Sequence, residues 1–398
     1  MMSQRIPLAV AASAAAATLV LAGCGSKPAT SPDATRATAG MTRPALATSV
    51  SGSGASWAVV EMGGSAAQHN NFWELFVHSE AGTGWKLATP VGVASNGGLV
   101  AAVTGPAGLV TGFRPSQDLT FSPLAATTNG GSSWSTPTVV GSGGLANLPG
   151  ALAAGPAGKL LAVTDPGDIE SSSDGGAKWT RLSARSALSR SSADRACGLT
   201  AITAVALTAG GQPLVAGDCR QPGSVGIFVL REGTWHATGP ALPATLAREP
   251  VSVIGLNATG PRITAVLAVG TGAGTGLIAA WSANGASTWT LSPKLSTGPA
   301  SAGPPSVSFG SDGSASVALP ASHAVSGGAT IGWHTAAWQS LPTLPARTAT
   351  LATAPGGQAE ALAVNRGTLT VWELATPSAV RWTLAQTIHV PIPYGSSG

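Results

Sequence analysis

Beyond about residue 54 the apolar positions come in short runs, and Gly, Pro or Asn-Gly interrupts each run before a helical period is established. One stretch shows the plan: Leu99–Val103, Leu109–Phe113, Phe121–Thr127 and Ser133–Val139 follow one another as four such runs. A later stretch repeats it with Leu199–Leu207, Pro213–Asp218, Val225–Arg231 and Thr234–Ala237. Runs of this kind, bounded by turn residues, predict strands joined by hairpins. The start of the chain is different. Ile6–Ala22 is apolar or small and free of charge, and Gly25 to about Ser53 is rich in Ser, Thr, Ala, Pro and Gly without a strong hydrophobic period. The pattern divides the chain into a leader over 1–23, a flexible tether over 24–53, a folded β region over 54–393 and a short tail over 394–398.

Seven of the 12 tryptophans mark a period within the β region: Trp85, Trp134, Trp179, Trp235, Trp289, Trp338 and Trp382 stand about 44 to 56 residues apart. A period of that size with four runs in each unit predicts an all-β chain, a β-propeller of four-stranded antiparallel blades. Seven units fit between about Ala45 and Pro393; six or eight stay open, because Ile388–Pro393 also reads as an extra closing strand. Residues ahead of several of these tryptophans form a motif. Ser172, Asp174, Gly176 and Trp179 match Ser/Thr-x-Asp-x-Gly-x-x-Trp at every specified position. Thr127, Gly131 and Trp134 repeat it with Asn129 for Asp, and Ser282, Asn284 and Trp289 repeat it with Ala286 at the Gly position. His78–Trp85 keeps Gly82 and Trp85 with Glu80 at the acidic place, while the units ending at Trp235, Trp338 and Trp382 lack the motif.

The motif has a mechanical reason: its Asp or Asn accepts hydrogen bonds from nearby backbone N–H groups, its Gly supplies a positive φ, and its Trp buries a ring against the sheet. Over roughly 340 residues the chain resembles the Asp-box (BNR-like) repeat propellers, a group spanning sialidases, sortilin-like receptors and photosystem assembly factors. The resemblance implies a folding device and no single activity.

Arg5 ahead of Ile6–Ala22 supplies the charged and apolar regions of an export signal. Leu21-Ala22-Gly23-Cys24 then resembles the lipobox of bacterial lipoproteins. That resemblance implies cleavage before Cys24, lipid on its sulfur and an acylated amino terminus, hence anchoring to the cell membrane on its extracytoplasmic face. Composition supports the β reading: 53 Gly and 29 Pro break the chain, and only 9% of residues are charged. The net charge of +4, about +3 without Arg5, comes from basic residues that do not cluster, which argues against a nucleic-acid partner. Cys197 and Cys219 fall at the neighbouring ends of a predicted hairpin, and in an oxidising compartment such a pair reads as a disulfide.

Catalytic constellations are scarce. A sialidase site uses a Tyr nucleophile with Glu, an Asp and three Arg, yet the sole Tyr is Tyr394, after the last unit, and Arg5-Ile6-Pro7 lies in the leader. Asp165 and Asp168 share a Pro-Gly turn, a spacing that suits turn chemistry better than a glycosidase pair. His69, His78, His236, His323, His334 and His389 lack metal-ligand spacing, and Asp312-Gly313-Ser314 lacks the further acids of a calcium loop. Gly270–Gly276 is followed by no helical pattern, so it reads as a blade loop rather than a phosphate cradle. No metal or cofactor is expected.

If the motif turns join third to fourth strands, the opposite face carries the second-to-third loops, with His69, Asn70, Arg114, Asp118, Asp165, Asp168, Arg220, His323 and Arg366 as candidate ligand contacts. The expectation is a membrane-tethered binding or assembly module that receives a protein or glycan partner on this face or in a central funnel. The alternative is an extracytoplasmic hydrolase of glycosidase type.

Overall fold

Gly and Pro end each apolar run early, and the backbone turns back on itself at each of them. The computed structural model describes residues 47–63, 71–91, 97–114, 122–135, 144–271, 275–297, 305–322, 325–335, 337–355, 357–376 and 379–391. The leader, Cys24, the tether up to residue 46 and the tail lie outside this set. Among the described residues the strands form seven consecutive antiparallel meanders. Blade 1 holds β1 (Thr48–Ser51), β2 (Ala55–Gly63), β3 (Asn71–Ser79) and β4 (Trp85–Leu87). Blade 2 holds β5 (Leu99–Gly105), β6 (Gly108–Phe113) and β7 (Leu124–Thr127), and Ser135 N–H continues the pattern by donating to Ala126 O at 2.8 Å. Blade 3 holds β8 (Pro149–Ala154), β9 (Leu160–Thr164), β10 (Asp168–Ser172) and β11 (Thr180–Ala184). Blade 4 holds β12 (Leu199–Leu207), β13 (Pro213–Cys219), β14 (Gly226–Arg231) and β15 (Thr234–Ala237). Blade 5 holds β16 (Val251–Thr259), β17 (Arg262–Val269), β18 (Gly276–Ser282), β19 (Thr290–Leu291) and β20 (Leu295–Ser296), the last two both pairing with β18. Blade 6 holds β21 (Ser306–Phe309), β22 (Ala315–Ser322), β23 (Val325–Ile331) and β24 (Gln339–Ser340). Blade 7 holds β25 (Thr348–Thr353), β26 (Ala359–Asn365), β27 (Thr368–Glu373) and β28 (Thr383–His389).

The core lies between blades. Each hydrophobic cluster joins two neighbours: Trp57 and Leu75 meet Leu99 and Phe113 between blades 1 and 2, and Leu161 and Ile169 meet Val215 and Phe228 between blades 3 and 4. Val60, Met62 and Phe76 of blade 1 likewise pack on Leu362, Leu369 and Val371 of blade 7, which closes the circle. Face-to-face burial of twisted sheets around a ring is the packing of a β-propeller, and that is the fold of this chain.

Closure takes place at one seam. β1 and β21, the innermost strands of blades 1 and 6, form a parallel bridge at Val50 and Phe309, and β25 packs behind them. Buried hydroxyls join the three strands. Ser306 Oγ lies 2.7 Å from both Ala47 O and Thr350 Oγ1, Ser308 Oγ lies 3.0 Å from Thr350 Oγ1, and Ser49 Oγ donates to Leu351 O at 2.8 Å.

Several sequence expectations shift. β1 begins at Thr48, inside the stretch read as tether, because its hydroxyls have buried partners in the seam. Ile388 belongs to β28, the outermost strand of blade 7, rather than to a further closing strand. Of the seven periodic tryptophans, Trp85 and Trp235 are buried, whereas Trp134, Trp179, Trp289, Trp338 and Trp382 are only half-buried. The large core rings are Trp57 of β2 and Trp281 of β18, and Trp73 of β3 packs in the same cluster as Trp57.

Cys219 is the last residue of β13, opposite Leu199, and its Sγ lies 2.06 Å from that of Cys197. The bond spans a sequence separation of 22 residues within blade 4. A Cβ on Gly226 would stand 3.0 Å from one of these sulfurs and 3.1 Å from the other, so the bare backbone there leaves the bridge its space. The double variant Cys197→Ala/Cys219→Ala is expected to lose about 3 kcal/mol of stability, the chain-entropy value for a loop of this length. Denaturant unfolding of the two proteins measures the difference, and both should keep the same β-sheet circular dichroism.

Candidate functional site

Three turns between third and fourth strands share one hydrogen-bond scheme. In the turn Ser172–Trp179, Ser172 Oγ donates to Asp174 Oδ1 at 2.8 Å and accepts from Gly176 N–H at 2.9 Å, while Lys178 N–H donates to the same Asp174 oxygen at 2.9 Å. Thr127 and Asn129 repeat it, with Gly131 N–H on Thr127 Oγ1 at 3.1 Å and Ser133 N–H on Asn129 Oδ1 at 3.0 Å. Ser282 and Asn284 repeat it again, although Ala286 holds the left-handed φ of 66° that the other two turns give to glycine. Its methyl is fully buried between blades 4 and 5, which offsets the backbone strain. The Trp rings diverge: Trp179 Nε1 donates to Gly176 O within its own turn, whereas Trp289 Nε1 reaches Thr238 O on the neighbouring blade. His78–Trp85 follows another scheme, in which Trp85 Nε1 donates to the buried Glu360 of blade 7 at 2.9 Å.

These turns sit beside the first-to-second hairpins, since Gly175 N–H donates to Gly158 O and Gly130 N–H to Ala107 O. Asp174 is fully exposed, and the Lys178 N–H and Ser172 hydroxyl hold its carboxyl below the ordinary carboxylate range.

On the other face, the second-to-third loops carry the candidate ligand residues, and the structure uses several of them laterally. Arg114 reaches from blade 2 to Asp165 of blade 3 at 2.8 Å, with Pro149 O also accepting from its guanidinium at 3.4 Å. Asp168 binds Arg181 of its own blade at 2.6 Å. Arg220 follows β13 and faces Asp194; burial pushes the Asp194 carboxyl up, although Leu199 N–H donates to it. Arg366 is exposed in the β26–β27 turn. His69, Asn70, Asp118 and His323 lie outside the described residues. The described candidates therefore occupy separate blades and are not gathered into one pocket. Among the described residues no group of three or more His, Cys, Asp or Glu is placed to hold a metal ion, and no helix is long and apolar enough to cross a membrane.

The concave site is elsewhere. A central channel of about 650 Å³ is lined by β1, β5, β8, β12, β16 and β21, the innermost strands of six blades, while β25 stands behind the seam and contributes nothing. Its volume is that of a typical ligand pocket. Every described lining residue is uncharged: Ala, Val, Leu, Gly, Ser and Thr dominate, with Asn257 the one amide among them. The lining extends to Gly52, Pro106, Gly155, Thr208, Gly260 and Ser311, which belong to the first-to-second hairpins. The channel thus reaches the face that carries the motif turns, and its place is that of the central funnel expected as the alternative to the loop face. Sequence reasoning missed its walls because they are made of small residues from strands about 50 positions apart, which no local motif marks.

No family model matches the sequence, and no curated protein matches it either. Solved structures do resemble the fold. A protein of Bacteroides uniformis assigned as a candidate 6-phosphogluconolactonase is similar at a TM-score of 0.52 and 10% identity, over 84% of this chain and 97% of that one. A protein of Lactobacillus plantarum is similar at 0.52 and 10%, over 84% and 96%. YCF48 bound to D1 peptide is similar at 0.40 and 15%, over 84% and 91%. At such identities the likeness is one of fold.

Asp174→Ala should lower the melting temperature by a few degrees at neutral pH by leaving the Lys178 N–H without its acceptor. Because the folded-state pKa is depressed, the stabilisation is present above the unfolded carboxylate pKa and is lost as pH falls through the lower folded value. Thermal melts from pH 7 down to about pH 2 should show the two proteins converging at the acid end.

Proposed function

We propose that the protein is a membrane-tethered, extracytoplasmic binding module that receives a protein or glycan partner at its central channel. The observation that carries this reading is the channel itself, a ligand-sized hollow built from the rigid inner strands of six blades. Asp165 and Asp168, the carboxylates a hydrolase would draw on, are each engaged by an arginine and do not line it.

Cys24→Ala tests the anchor. The variant should lose incorporation of labelled fatty acid and leave the membrane fraction or accumulate unprocessed, while wild type is labelled and sediments with membranes. Equal labelling and equal sedimentation of the two would overturn the tethered reading.

A further inference from the structure

We infer that the channel takes an uncharged, extended peptide strand, added to the free inner edge of β5; this deepens the binding reading above and rests on it. The first argument is the pattern of hydrogen bonding around the ring. The innermost strand of a blade is an edge strand, paired on one side and facing the channel on the other. Each of the edges other than that of β5 carries at least one bond or bridge to a neighbouring blade. β1 and β21 bridge each other at Val50 and Phe309, and Thr203 Oγ1 of β12 donates to Val253 O of β16. β8 begins at Pro149, which has no N–H, and its carbonyl accepts from Arg114. β5 differs. Its residues Leu99–Gly105 pair with β6 on one side, and among the described hydrogen bonds none joins its other edge to a neighbouring blade. Leu99–Val103 and Gly105 all line the channel.

The second argument is charge. None of the described lining residues carries one, so a charged side chain entering the channel would give up its hydration with no counter-charge among them to meet it. A neutral segment escapes that cost. The third argument separates a peptide from an apolar small molecule, which would gain from the Val and Leu side chains but leave the N–H and C=O groups along the edge of β5 without partners. A peptide strand satisfies both, with its backbone on β5 and its small apolar or hydroxyl side chains among Ala101, Val103, Ala151 and Ala153. The near end of the path is formed by Gly52, Gly105 and Pro106, which add little bulk beside a backbone.

The test uses the purified full chain in detergent and a neutral probe, an acetylated and amidated peptide of seven alternating Val and Thr residues with an uncharged fluorophore. Binding should saturate and should slow deuterium exchange in residues 99–105. The same peptide N-methylated at alternate residues keeps its side chains but loses half its donors, and should bind about tenfold more weakly or worse. Replacement of its central residue by Glu should weaken it at least as much. Ala154→Arg, which puts a charge among the lining residues, should abolish binding of the parent peptide in protein that keeps its β-sheet circular dichroism; if that variant unfolds, the exchange and N-methyl measurements on wild type decide alone. Absence of parent-peptide binding, no protection of residues 99–105, or equal affinity for the N-methylated peptide overturns the inference, the last by identifying an apolar sink for small molecules. So does equal affinity for the Glu-containing peptide, or undiminished binding by a folded Ala154→Arg protein. None of these outcomes bears on the Cys24→Ala fractionation, so the anchor and the strand site fail separately.

Discussion

A ring of stacked sheets has one joint that no run of local hairpins can make, the place where the last blade meets the first. Here blade 7 meets blade 1 through an apolar cluster, and a cluster of buried hydroxyls ties the inner strands of blades 1, 6 and 7 together. Ser49, Ser306, Ser308 and Thr350 lie within a strand's width of one another, and each finds a carbonyl or another hydroxyl as partner. The apolar cluster between blades 6 and 7 is small, with Ala318, Leu344, Leu351 and Ala361 at its centre, so the hydroxyls supply cohesion where hydrophobic area is thin. They also set the shape of the hollow. By drawing β1 onto β21 they leave β25 outside, and a chain of seven meanders surrounds its channel with six strands.

The same hydroxyls explain where reading the sequence went astray. Thr48–Ser51 is polar and short, and in composition it is indistinguishable from the Ser/Thr-rich stretch before it; only partners some 260 to 300 positions away make it a core strand. Elements fixed by neighbours in sequence were legible. β12 and β15 stand where Leu199–Leu207 and Thr234–Ala237 were predicted, because Gly and Pro mark the ends of each run. The turn scheme at Ser172–Trp179 was legible for the same reason, since all its donors and acceptors lie within eight residues. The tryptophan period gave the blade spacing but misled on burial at five of its seven positions, because the fully buried rings, Trp57 and Trp281, stand on β2 and β18 and are not the tryptophans of the motif. The channel was the least legible feature, being made of strand edges, which leave no mark on side-chain identity.

Scarcity of charge connects these observations. With 9% of residues charged, several of the ionic groups on the loop face are held beside the channel rather than in it, as Arg114 is by Asp165 and Asp168 by Arg181. Between blades 1 and 7, Glu360 accepts from Trp85 and lies 3.4 Å from His78, and Gln386 exchanges hydrogen bonds with the backbone of Trp85. The polar side chains therefore act mainly as ties from one blade to the next or within a blade. The inner strands are left with the Ala, Gly and Val that allow close approach, as where a Cβ on Gly155 would meet Leu207 at 2.8 Å or one on Gly255 would meet Phe309 at 2.9 Å.

The seam has a consequence for the order of assembly. Ser49 and its acceptor Leu351 are 302 residues apart, whereas the contacts within each blade are short-range, so blades can form as the chain emerges while the ring waits for its last segment. Throughout that wait the first inner strand has a bare edge, the kind of edge that recruits other chains into aggregates. A four-residue strand written Thr-Ser-Val-Ser is poorly suited to that, being too short to template a long ladder and well solvated by its hydroxyls. The residues that lock the finished ring are thus also ones that tolerate water during the kinetic delay before closure.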